Sequence, residues 1–330
     1  MFRPHLLLLS ILLLSHRSHA KGISSEVLNP GPEPPPHRQE EGVGKDDKGN
    51  PLHEGDIAGV DKDDKQVKNA VMNPNKKWAK SSNGVVYVPY EFSPFLSVKA
   101  RAAVEAAIKD YAQFTCVQFT PKTPGQFHQF FIHFFADDGC WSYVGREADW
   151  SGQKISLGRG CEYKGTAAHE MMHALGFDHE QNRPDRDQYV SVLYQNIQYR
   201  MENNFQKCSF CTTQNLDYDY SSVMHYGSDF FSRNGLPTLV SKNGAKMGQR
   251  KGLTNLDVSK INKLYDCGNV RAMNVKSPPA DMRSNGMPQL RPTPTPKHAQ
   301  KCDDTFLKCA AFKKRCSTLG KICRKTCKLC

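Results

Sequence analysis

No apolar run in this chain of 330 residues is long enough to cross a bilayer. A spanning helix needs about 20 predominantly apolar residues, and the longest candidate, Leu6–Leu14, falls well short. No Asn-x-Ser/Thr acceptor occurs, which excludes ordinary N-glycosylation. No internal repeat is visible, which excludes solenoid and propeller architectures. Acidic side chains are scarce behind Cys267. Residues 268–301 hold six basic and one acidic, and residues 302–330 hold eight and two, so most of the net charge of +12 sits there.

What is present begins at the N-terminus. Arg3 precedes Leu6–Leu14, and Ser18-His19-Ala20 offers small residues for cleavage. This pattern predicts a signal peptide over residues 1–20 and a secreted, extracellular product. Twelve cysteines agree, because thiols oxidise after export and an even count there makes a disulfide framework. An exported protein rarely meets nucleic acid, so none is expected as a partner of the basic tail. Acidic matrix polymers or cell surfaces suit that charge better, beside the plain alternative of a solvated face.

Residues 21–68 are polar, with Pro34-Pro35-Pro36 and the run Asp61-Lys62-Asp63-Asp64-Lys65, and cannot build a core. The texture changes at Trp78. Val85–Val88 reads as a strand, Ser97–Phe114 as a helix with apolar residues at helical spacing, and Phe127–Phe135 as β-prone. Thr254-Asn255-Leu256-Asp257 resembles a capping box opening a helix to Tyr265. A Pro-rich basic linker follows over 268–301. The last six cysteines then crowd into residues 302–330, a stretch too short to bury a core without cross-links. The expected plan is signal 1–20, pro-segment 21–68, one α+β domain 69–267, linker 268–301 and a small cross-linked module 302–330.

The chemistry concentrates in His169–His179. Thr166 is placed to cap a helix beginning at Ala167. On that helix the i, i+4 spacing sets His169 and His173 one turn apart on one face, where both imidazoles can reach a single ion. Glu170 lies beside them without being a ligand. Gly176 can take positive φ, end the helix and return His179 to the same ion. Three imidazoles leave a coordination position open, the signature of a catalytic rather than a structural site. The pattern H-E-x-x-H-x-x-G-x-x-H marks the metzincin class.

The segment HEMMHALGFDHEQNRPDRD, residues 169–187, closely resembles the astacin family of zinc metalloendopeptidases, in which Glu follows the third His. Ser222-Val223-Met224-His225-Tyr226 resembles the astacin Met-turn. Cys140-Trp141-Ser142-Tyr143-Val144-Gly145-Arg146 and Met247-Gly248-Gln249-Arg250 are further matches. The resemblance covers about 69–267. It implies a two-lobed metzincin fold, with a twisted sheet and the active-site helix above a cleft and an irregular half below. It also implies one Zn2+ on His169, His173 and His179, Glu170 as general base, and Tyr226 as a fifth ligand that swings to stabilise the oxyanion. Met224 would pack beneath the site. The implied reaction is hydrolysis of protein or peptide substrates, with Glu170 taking a proton from water and passing it to the leaving amine.

In the pro-segment, His53-Glu54-Gly55-Asp56-Ile57 resembles the F-x-G-D switch of astacin precursors, with His53 in place of Phe. It implies Asp56 as a metal ligand in the latent form only. The family spacing puts the mature N-terminus near Asn69 or Ala70, after Lys68, generated by an activating protease. The new amino group would lie near Glu180. Arg250 aligns with an Arg that, in acid-preferring members, faces the substrate residue after the scissile bond; a surface Arg is the other reading. Family pairing implies Cys116–Cys267 and Cys140–Cys161. Cys208 and Cys211 lie outside that pattern and read as a local disulfide, with redox or metal chemistry as the alternative.

Residues 302–330 resemble the ShK toxin-type domain, implying the pairs Cys302–Cys330, Cys309–Cys323 and Cys316–Cys327. Lys321 lacks the Tyr that completes the channel-blocking pair of toxin members. The competing reading of the whole chain is a channel- or surface-binding protein, for which the protease domain is only a carrier.

Overall fold

The computed structural model describes residues 25–34, 44–59, 73–123, 128–147, 149, 151–209 and 211–268. The expected signal peptide, the Lys68–Ala70 processing region, most of the linker and the six-cysteine module lie outside the described residues.

Strand β2 (Val86–Phe92) leads into helix α1 (Val98–Phe114) and returns as β3 (Val117–Pro121), parallel to β2. Parallel strands need such a crossover, and α1 supplies it. Ser97 caps the helix by accepting from the Ala100 amide at 3.0 Å. Ala100, Ala103, Val104, Ala107 and Tyr111 form its buried face. Strands β4 (Ile132–Phe135), β5 (Cys140–Tyr143) and β6 (Gln153–Leu157) extend the sheet, and a two-residue strand nearer the N-terminus, β1 (Ile57–Ala58), closes it. The order is β1-β5-β6-β4-β2-β3, with β5 antiparallel to β6 and β1 parallel to β5.

The expected strand Phe127–Phe135 is shorter in the structure. Pairing begins at Ile132, opposite Tyr90 and Gln153, because only there does β4 have a neighbour on each side. The expected strand Val85–Val88 instead runs on to Phe92, since β2 serves two partners.

Helix α2 (Lys164–Ala174) is buried on every side from Gly165 onward. Thr166 does not cap it. Tyr163 holds the cap position, and the Ala167 amide already donates to the Tyr163 carbonyl at 2.9 Å. The reason is tertiary. Gly165 packs so tightly on the Arg250 carbonyl that a Cβ there would lie 1.8 Å from that oxygen, so the first turn is set by this contact. The main core joins α1, α2 and the sheet through Tyr111, Ile132, Phe134, Ile155, Met171 and Leu175.

Residues 178–253 are built differently, with short 3-10 turns and one antiparallel pair, β7 (Val190–Val192) with β8 (Leu239–Ser241). A second, aromatic-rich cluster of Phe205, Tyr218, Tyr226 and Phe231 with Val190 and Leu239 fills this part. Helix α3 (Asn255–Leu264) follows, opened by the expected capping box of Thr254 and Asp257. Disulfides join Cys116 to Cys267, Cys140 to Cys161 and Cys208 to Cys211.

Candidate metal centre and active site

Helix α2 presents His169 and His173 one turn apart, with Glu170 directly after His169. At its end, the Gly176 amide donates to the His173 carbonyl and the Phe177 amide to the Met172 carbonyl, with Gly176 at φ +103°. This pair of bonds is a Schellman ending, and positive φ is why glycine stands there. The chain reverses and delivers His179.

Each of these histidines has its Nδ1 committed. His169 Nδ1 donates to the Val223 carbonyl at 2.7 Å, and His173 Nδ1 to the Phe177 carbonyl at 2.8 Å. His179 Nδ1 donates to the Glu54 carboxylate at 2.8 Å. Carbonyl and carboxylate oxygens only accept, so the proton of each neutral ring sits on Nδ1 and the Nε2 lone pairs turn inward. There the Nε2 atoms of His169 and His173 stand 3.1 Å apart. Asp56 Oδ2 lies 3.0 Å from His169 Nε2 and 3.2 Å from His179 Nε2. Lone pairs facing one another this closely repel unless a proton or a cation lies among them. Four donor atoms, from Asp56, His169, His173 and His179, come within 4.8 Å of one another. The donor set, three imidazoles and one carboxylate, suits zinc.

The charges of the site are set by burial and by this crowding. Burial, then the nearby Arg250, pushes the His169 imidazole down to about 3, and burial lowers His173 as well. Burial also acts to lower His179, but Asp56 and Glu54 outweigh it and raise that ring to about 10. Burial favours the neutral form of Asp56, yet His179 and the other two rings hold its carboxyl well below the usual range. Glu170 goes the other way. Burial, reinforced by the Asp56 charge, raises its carboxyl well above the ordinary value, while Arg250 opposes that rise. Glu170 Oε2 has no hydrogen-bond partner among the described residues.

The seam between the two lobes supplies the rest. Asp257, the capping-box residue of α3, also receives Ser222 Oγ at 2.6 Å and the Val223 amide at 3.0 Å, which fixes the Met-turn. Met224 is buried in the main core, and its carbonyl accepts from the Glu180 amide at 3.0 Å. The Tyr226 ring lies 4.7 Å from that of His179, and its hydroxyl donates to the Glu54 carbonyl at 2.7 Å. Arg250 is buried, which rules out a surface role; it donates to the His225 carbonyl at 3.0 Å and lies over Phe230. Glu180 is also buried and already holds two cations, Lys260 at 2.6 Å and Arg183 at 3.2 Å. Its expected partner, the amino group at residue 69 or 70, falls outside the described residues. Cys208 and Cys211 are bonded to each other, so their sulfurs are not thiolate ligands.

Sequence reasoning missed Glu54. Its carboxylate accepts from His179 and Asn182, its amide donates to Asn204 Oδ1, and its carbonyl receives Tyr226. Its backbone is left-handed at φ +54°, a costly state for a residue with a side chain. Only its place two residues before Asp56 could have drawn attention to it.

Comparison with known proteins agrees with this geometry. The family model described as Astacin, a peptidase family, matches residues 70–266. Zinc metalloproteinase nas-15 of Caenorhabditis elegans is 42% identical over 60% of this chain, which spans 34% of that protein. Zinc metalloproteinase nas-6 of the same organism is 34% identical over 84% of this chain and 83% of its own length. In three dimensions, the high choriolytic enzyme 1 of Oryzias latipes, a hatching enzyme zinc-protease, is similar with a TM-score of 0.55 and 38% identity. That match covers 59% of this chain and 96% of the enzyme. With the donor set, the Met-turn and the family model in agreement over the same residues, the chain belongs to the astacin family of metalloendopeptidases.

Proposed function

We propose that the chain is a secreted, zinc-dependent endopeptidase made as a latent precursor. The observation that carries this reading is the convergence of three imidazole nitrogens with the carboxylate of Asp56. His169, His173 and His179 would hold the zinc, and in the precursor Asp56 would complete the set. Zinc bound there acidifies water and polarises a peptide carbonyl.

The chain's own groups do the remaining work. While Asp56 is present, its charge adds to burial in keeping Glu170 protonated. Loss of the pro-segment would remove that charge and uncover the site, relieving both causes of the raised pKa, so that His179 and Arg250 favour the carboxylate and Glu170 serves as the base. It takes a proton from the attacking water and returns it to the leaving amine. Tyr226, freed from the Glu54 carbonyl, offers its hydroxyl to the developing oxyanion. Arg250, buried at the seam, would pair with an acidic substrate side chain just after the scissile bond. The basic region behind Cys267 would hold the enzyme to acidic matrix or cell surfaces.

The reading is tested on purified precursor by metal analysis and by chelator-sensitive peptide hydrolysis. About one zinc per chain and an Asp56→Ala precursor that is active without processing are expected. Unchanged latency in that variant would refute the switch.

A further inference from the structure

Among the described residues, the pro-segment meets the catalytic domain along two stretches, and of these residues 44–59 reach the candidate metal centre. Residues 25–34 dock elsewhere, across the N-termini of α2 and α3. Val27 stands opposite Thr254 in an antiparallel bridge. The Leu28 amide donates to the Leu253 carbonyl at 2.7 Å and the Gly31 amide to the Lys251 carbonyl at 2.9 Å. The Asn255 amide, in the first turn of α3, where no intrahelical acceptor exists, donates to the Glu26 carbonyl at 3.0 Å. Side chains extend the contact. The Asn29 amide reaches Asp110 at 3.3 Å and Gln113 at 3.2 Å on α1, and its carbonyl receives Lys164 at the start of α2. Glu33 pairs with Lys251 at 3.1 Å.

None of these groups belongs to the metal site, and none is needed to block it. Every one of the backbone bonds is a strand-like exchange with residues 251–255, the segment against which the first turn of α2 is packed through Gly165. Val27 and Leu28 are only half-buried, so the contact alone would be weak. Joined by nine residues to the segment at the metal, it need not be strong. Linking two modest contacts raises their joint affinity by about 10²–10⁴-fold through effective concentration.

We propose that residues 25–34 are a second anchor on the surface formed by Lys251–Asn255, Lys164 and Asp110, which makes the pro-segment a bivalent inhibitor. Cutting the chain between residues 60 and 72 then does not by itself release the inhibitor. The severed fragment stays bound at both sites, and activation has two steps, cleavage and dissociation. The proposal rests on the latency reading above.

The test uses the full-length chain with a site-specific protease recognition sequence replacing Asp61–Lys65. After cleavage, fragment retention is followed by size-exclusion chromatography and activity by peptide hydrolysis. The cleaved parent is expected to keep its N-terminal fragment and gain activity only slowly. Leu28→Pro, which removes the amide bonded to Leu253 from an exposed strap, should release the fragment at least ten-fold faster. Lys251→Glu should do the same, and adding Glu33→Lys should restore retention. Release from the parent as fast as from Leu28→Pro would overturn the second anchor. An uncut precursor already at full activity would overturn the latency reading instead, and fragment retention would still judge the anchor.

Discussion

Among the described residues up to Leu175 the fold rests on a six-stranded sheet and two helices whose backbone groups pair with one another, whereas those of 178–253 form one two-stranded pair and a series of 3-10 turns. With few ladders, the second region must satisfy its buried carbonyls by other means. It uses side chains. Arg186 donates to the Gln181 and Phe205 carbonyls at 3.0 and 2.9 Å, and Arg183 to those of Leu216 and Asp217 at 3.0 and 2.9 Å. Asp257 and Gln181 do the converse, accepting from Ser222 Oγ and from the Val223 and Tyr226 amides. One lobe is therefore tolerant of exchange between residues of similar shape, and the other depends on single donors and acceptors.

The candidate metal centre lies where the two regions meet, and its halves should differ in how much they contribute. Glu170→Gln on the helix side is expected to lower kcat/KM by about 10³-fold or more while zinc content stays unchanged. Tyr226→Phe on the loop side should cost about 10²-fold. Equal losses, measured on processed enzyme, would mean that the helix does not dominate.

The disulfides sharpen the contrast in stability. Cys116–Cys267 spans 151 residues and Cys208–Cys211 only 3. Restriction of the unfolded chain then predicts losses of about 5 and about 2 kcal/mol for the paired Cys→Ser variants, read from denaturant midpoints. A next, smaller difference concerns packing against hydrogen bonding. Arg186→Ala leaves two buried carbonyls without their donor and should cost about 3 kcal/mol, while Ile155→Val in the sheet core should cost about 1 kcal/mol. If the two variants unfold alike, the lower region has other support than its arginines.

A last contrast is a pH dependence at the seam. Burial and the neighbouring Asp257 push the Asp219 carboxyl up to about 7. A carboxyl whose folded pKa is raised contributes stability below its unfolded value and loses it as pH rises towards the folded one. Between pH 4 and pH 7 the domain should therefore lose stability that Asp219→Asn does not lose, read as a difference in denaturant midpoint between the two pH values. Glu180 contributes in the opposite direction. Burial opposes its charge, but Lys260 and Arg183 lower its pKa, so its stabilisation is present at neutral pH and disappears on acidification.

Much of the site was legible in the chain because its parts are local. The i, i+4 spacing of His169 and His173 needs only a helix, and the return of His179 needs only a glycine able to take φ +103°. The Thr254–Asp257 capping box is likewise confined to four residues. The resemblance to astacins then named the fold and the metal.

What the sequence did not disclose depends on groups brought together from far apart. Tyr163 rather than Thr166 caps α2, because Gly165 is pressed against Arg250. Asp257 steadies the Met-turn 34 residues away as well as its own helix. Glu54 meets His179 across 125 residues, and Lys260 meets Glu180 across 80. By itself the sequence determined the candidate ligand types, the helix that carries two of them and the turn that returns the third, since backbone spacing sets these. Only the tertiary structure decided which buried carboxylate stays neutral, which arginine faces the seam and where residues 25–34 and 44–59 are held. Burial and long-range pairing set those, and neither is written in any local pattern.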